Sequence, residues 1–166
     1  MVSVVSLNMK NRLHYKIAIT LILGIISSGC AITDSRLSGK WRSDLELTTK
    51  FNEKHAILTE RQKKVFSQLF GKMELTYSRR GQCEVFLPGG KIDTGSRVIE
   101  SDESKRLSEY KILYKNDNAI VVLNEEALFG ESISTLHFVD EDTYWIYVGE
   151  SEFVNLHIRE YFTKVK

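Results

Sequence analysis

Two cysteines, four histidines and several runs of acidic residues are the side chains here that could do chemistry. Their spacing offers little. His55, His137 and His157 are scattered, and although His137 and His157 could meet across strands, no cysteine or third histidine joins them at metal-ligand spacing. The acidic stretches Glu125-Glu126, Asp140-Glu141-Asp142 and Glu150-Ser151-Glu152 lack the spaced oxygen ligands and central glycine of a calcium loop, and read as solvated turns. G-x-S-x-G, a P-loop, H-E-x-x-H and C-x-x-C are all missing. No catalytic residue, metal or cofactor is therefore expected, and the chain does not read as an enzyme. Cys83 alternates with Val85 and Leu87, which predicts a buried, inert thiol. That leaves Cys30 as the one reactive candidate.

Cys30 stands at the end of a targeting pattern. Lys10, Arg12 and Lys16 are the only charges before Asp34. An apolar run, Ile17 to Ile26, follows, broken only by Thr20 and Gly24, and then Ser27-Ser28-Gly29-Cys30. A basic start, a short apolar stretch and small residues before a cut site make a secretory signal. The run is about ten residues, against about 20 for a membrane span. Ile26-Ser27-Ser28-Gly29-Cys30 resembles the lipobox of bacterial lipoproteins, with Ser27 where that motif usually carries an aliphatic residue. The resemblance implies cleavage before Cys30 and its acylation with chains such as palmitate. Ala31, in the place where an Asp would mean inner-membrane retention, implies the outer membrane, with the domain facing the periplasm. Met9-Lys10-Asn11 also reads as a natural signal start.

The expected organisation is a signal peptide over 1–29, a lipidated tether over 30–37 and one domain over 38–166. The chain's 166 residues suit a single domain, and its 27% charged and 10% aromatic residues exclude disorder. Without the signal the net charge is about −2, which gives no electrostatic footprint for nucleic acid.

Within the domain, Trp41 to Thr49 reads as a strand, with Leu45 and Leu47 on one face, and Asn52 to His55 as a short helical turn. Thr59-Glu60-Arg61-Gln62 is a capping-box pattern. The helix it starts carries Val65, Phe66, Leu69 and Phe70 as an apolar stripe, with Gly71 in the C-terminal left-handed position. The period then changes to two. Met73, Leu75 and Tyr77 alternate with polar residues, as do Cys83, Val85 and Leu87, and Pro88-Gly89 suits a type II turn. Asn116-Asp117-Asn118 and Asp140-Glu141-Asp142 each join two strands as a hairpin, and Phe153 to Val165 reads as the last strand. The predicted fold is mainly β: an antiparallel up-and-down barrel of about eight or nine strands, with a helical insertion after the first. A meander this long exposes two edges unless it closes.

Ser38-Gly39-Lys40-Trp41, at the opening of the first strand, resembles the G-x-W signature of the lipocalin and calycin barrels. That resemblance implies that Trp41 closes one barrel end and that Arg159, in the last strand, packs across its ring; both would be structural. The helical insertion is similar to the lid of a fatty-acid-binding protein. The implied role is a membrane-anchored binding module for a small apolar or amphipathic molecule. Phe66, Leu69 and Phe70 would form the lid, and Tyr77, Tyr110 and Tyr114 would line the cavity. The alternative is an envelope lipoprotein with a filled barrel that binds or inhibits another protein. A cavity of about 300 Å³ or more separates the two readings.

Replacing Cys30 with Ser should release the protein from membranes or leave its precursor unprocessed. Membrane fractionation and intact mass both report this, and a variant unchanged in both would exclude lipidation at Cys30.

Overall fold

Eight antiparallel strands close on themselves in the order β1 (Gly39–Ser43), β10 (Arg159–Lys164), β9 (Thr143–Tyr147), β8 (Gly130–Asp140), β7 (Ala119–Ala127), β6 (Ser104–Lys115), β3 (Gln82–Leu87) and β2 (Glu74–Tyr77). The structure is a computed structural model that describes residues 33–127, 130–148 and 157–166; the expected signal segment, Cys30 and the start of the expected tether lie outside these. Helices α1 (Leu45–His55) and α2 (Glu60–Leu69) sit between β1 and β2, and the ribbon β4 (Gly90–Asp93) and β5 (Val98–Ser101) between β3 and β6. The expected barrel with a helical insertion after its first strand is thus present.

The expected first strand is too long. It ends at Ser43, because the Asp44 carboxylate accepts from the Leu47 N–H at 2.9 Å and caps α1. An N-cap of this kind contributes about 1 kcal/mol and here overrides the Leu45/Leu47 alternation. Both leucines are exposed on α1 rather than sharing a strand face. α2 follows expectation: Thr59 and Gln62 form the reciprocal capping box. Gly71 has φ +78°, and a Cβ there would lie 2.6 Å from Leu45 Cβ. Gly89, by contrast, has no left-handed φ; it is required by close approach, since a Cβ would lie 2.8 Å from the Glu103 nitrogen.

α1 completes the wall. Where β1 stops, the Asp44 N–H donates to the Tyr161 carbonyl, and the Tyr161 N–H donates to Thr48 Oγ1 at 2.9 Å. Asn52 then binds both backbone groups of Arg159, at 2.8 and 2.9 Å. Side chains of a helix thereby stand in for a strand along the remaining edge of β10, and Thr48 and Asn52 are buried for that reason.

At the other end the chain before β1 is bolted down. Trp41 Nε1 donates to the Leu37 carbonyl at 2.8 Å, and both side chains are fully buried. Arg36 donates to the carbonyls of Asn116 and Asp117 in the β6–β7 turn and is held in place by Asp34. Asp34 to Leu37, within the expected tether, thus pack against the barrel. Trp41→Ala should cost about 3–5 kcal/mol in urea unfolding, as befits a large ring removed from a filled core; a loss under about 1 kcal/mol would mean that this end is not packed as described.

Candidate functional site

The barrel interior is built by alternation. Ile120 and Val122 of β7, Leu136 of β8 and Phe162 of β10 turn inward and are essentially solvent-free. Trp41, Tyr144 and Phe162 pack in sequence, with ring centroids 4.7 and 5.1 Å apart. The pockets between α1 and α2, at the β6–β7 turn and at the β4–β5 ribbon are lined by other side chains.

Trp41 is fully buried beside Leu37, but Arg159 does not cover it. The cation on the Trp41 ring is Lys164, with Nζ 5.1 Å from the centroid and a 3.0 Å bond to the Arg36 carbonyl. Register explains this: Trp41 pairs with Lys164, whereas Arg159 lies five residues back along β10, opposite Tyr147. Arg159 stacks instead on Trp145 and Phe51.

Tyr77 and Tyr110 face inward, ring against ring at 5.2 Å, and the Tyr110 hydroxyl donates to the Ser78 carbonyl at 2.8 Å. Tyr114 does not line anything: it is 57% exposed. The pairing of β6 with β7 shifts between Ile112 and Tyr114, and this irregularity turns Tyr114 to the outside, breaking the alternation that would have placed it with Tyr110 and Ile112. Of the three lid residues, Phe70 is buried, Phe66 half-buried and stacked on it at 5.3 Å, and Leu69 exposed.

Phe66 and Phe70 line a pocket of about 340 Å³ between α1 and α2, with Leu58 beside them and Lys63, Lys64 and Glu53 among its polar residues. Lys63 is paired with Glu60, and Lys64 with Asp93 at the tip of the β4–β5 ribbon. Phe66 and Phe70 therefore wall a space between the helices, and Leu69 does not join them.

Several polar groups are buried in the interior itself. Glu160 points in beside Phe162, and its carboxylate accepts from Ser43 Oγ at 2.5 Å; the same Oγ accepts from the Gly71 N–H at 2.8 Å. Burial pushes this carboxyl up to about 7, only partly offset by the Ser43 bond. The Tyr144 hydroxyl is buried with no hydrogen-bond partner among the described residues. Burial likewise holds the Tyr77 and Tyr144 phenols well above their ordinary range. Cys83 is buried, and desolvation pushes its thiol up to about 12, as an inert cysteine requires. Among the described residues no group of three or more His, Cys, Asp or Glu could hold a metal ion.

No protein-family model, curated protein or solved structure matches this chain.

Sequence reasoning missed Glu160 and Asn52. The inward position of Glu160 was available from its alternation with Phe162, once β10 was placed. Asn52 had no such signal, since its role depends on where α1 docks.

Glu160 fixes a pH dependence. Its carboxyl is raised in the fold from 4.5 to about 7, so the native state holds the proton more tightly than the unfolded chain. The group's contribution is full below pH 4.5 and is lost as pH rises to about 7, by an amount on the order of 3 kcal/mol. Glu160→Gln should therefore gain stability relative to the wild type on going from pH 4.5 to pH 8. Urea unfolding of both proteins at the two pH values gives this difference, and a constant gap would show that Glu160 does not titrate as described.

Proposed function

We propose that this chain is a lipid-anchored envelope protein of lipocalin-like architecture that binds a small apolar or amphipathic molecule without catalysis, between its two helices rather than inside its barrel. The observation that carries the reading is the pocket of about 340 Å³ walled by Phe66 and Phe70. It lies within the range of small-molecule sites, about 300–1,000 Å³. The closed barrel, the G-x-W opening and the buried Trp41 support the lipocalin-like comparison. The signal pattern and the lipobox-like Ile26 to Cys30 support acylation at Cys30, with an outer-membrane position facing the periplasm. An apolar chain is the favoured occupant: each CH₂ moved from water contributes about 0.8 kcal/mol. The nearby lysines are already paired and need not supply a counter-ion.

A second reading, binding of an envelope protein to the outer surface, rests on a different observation. The packed interior leaves apolar residues outside, with Leu107, Tyr114 and Ile133 exposed at 63, 57 and 67%. Tyr114 stands opposite Val121, and Leu123 opposite Ile133, on adjoining strands.

Titrating the mature domain with a fluorescent fatty acid tests the first reading. Saturable one-to-one binding, weakened at least tenfold by Phe66→Asp with the circular dichroism unchanged, is the expected result. Absence of saturable binding to the wild type would remove the small-molecule reading and leave the protein-interaction one.

A further inference from the structure

Arg159 leaves β10 on the outer face of the barrel, its backbone fixed by Asn52 of α1. Its guanidinium carbon lies 3.7 Å from the Trp145 ring centroid and 4.2 Å from that of Phe51, with Tyr147 at 5.6 Å. The stack continues at both ends. His137 lies parallel to Trp145 at 4.0 Å, and His55 is 4.6 Å from Phe51. Aromatic rings from β9 and α1 thus pack against the guanidinium and hold its plane.

The guanidinium carries five N–H donors in that plane. None is used on the described residues: Nε is buried without a partner, and the described ion pairs and side-chain hydrogen bonds belong to other groups. A guanidinium stacked between two rings, its Nε buried and its donors without a partner among the described residues, is half of a bidentate pair. Arginine in this state matches the two coplanar oxygens of a carboxylate or phosphate. A purely structural clamp between α1 and the sheet would explain the stacking but not a buried Nε that has no partner among the described residues.

We propose that Arg159, clamped between Trp145 and Phe51, is a binding site for a small oxyanion that meets the guanidinium edge-on. This goes beyond the interhelical pocket and does not depend on it. Two sources share the chemistry, a free anion and the phosphate of a lipid headgroup, and the test separates them. The mature domain is titrated with inorganic phosphate and with acetate, against sodium chloride at equal ionic strength, while the Arg159 Nε–Hε and Trp145 indole resonances are followed by NMR. A second arm measures co-sedimentation with phosphatidylglycerol vesicles, with and without competing phosphate. A saturable shift with phosphate or acetate but not chloride is expected, reduced at least tenfold in Arg159→Lys, which keeps the charge and loses the fork. Vesicle binding that requires Arg159 and is displaced by phosphate would assign the site to headgroups; soluble-anion binding without it would assign the site to free anions. If the Lys variant does not fold, Trp145→Leu, which removes one stacking face, should weaken binding in the same assay. No shift in the wild type with either anion, together with no Arg159-dependent vesicle binding, overturns the proposal, as does an undiminished shift in the variants.

Discussion

β1 has five residues and two neighbours to hold. It pairs with β10 through Trp41 to Ser43 and with β2 through Gly39 to Arg42, and the barrel closes only through it. A strand this short cannot cover the length of β10, which would leave backbone donors and acceptors of Arg159 and Tyr161 unpaired at an edge. The helical insertion meets that constraint. Asp44 starts α1 and gives its N–H to Tyr161, and one and two turns later Thr48 and Asn52 reach the next backbone groups. α1 is therefore part of the barrel wall, and its freedom to move is limited by the same bonds that close the sheet.

The wall that α1 completes also determines where polar groups end up. Ser43 is the last residue of β1, and its hydroxyl links Glu160 to the Gly71 N–H, where the insertion returns to the barrel. Glu160 is thus buried beneath both ends of the insertion. A carboxyl with one neutral donor is poorly compensated when charged, and its raised proton affinity follows. Replacement by an apolar residue would leave Ser43 and Gly71 to re-form their contacts without it. The seam and the buried acid are one arrangement, and pH acts on the seam through that acid.

The legible part of the fold was the part set by local pattern. Alternation at Met73, Leu75 and Tyr77, the Asn116–Asn118 turn and the Thr59–Gln62 capping box each act over a few residues, and each appears in place. The failures have a common physical form. The Leu45/Leu47 alternation gave way to a cap at Asp44, and the outward turn of Tyr114 came from a register shift against β7. The G-x-W resemblance sets Arg159, as a residue of the last strand, across Trp41; the residue opposite Trp41 is Lys164, and only the register between two specific strands decides that. The lid stripe was found, but its inner face turned toward α1 and not into a barrel cavity, because the insertion docks along the seam.

Trp41, Tyr144 and Phe162 take inward positions of the barrel, and the pocket walled by Phe66 and Phe70 lies in the insertion, between α1 and α2. Both candidate sites, the space between α1 and α2 and the stacked Arg159, involve α1. That is a consequence of the seam: a helix bonded to β10 presents Asn52 to the sheet edge, Phe51 to Arg159 and Thr49 and Glu53 to the pocket. Occupancy of either site would therefore bear on the same helix. Such coupling needs no long pathway, since the residues concerned are neighbours along one turn.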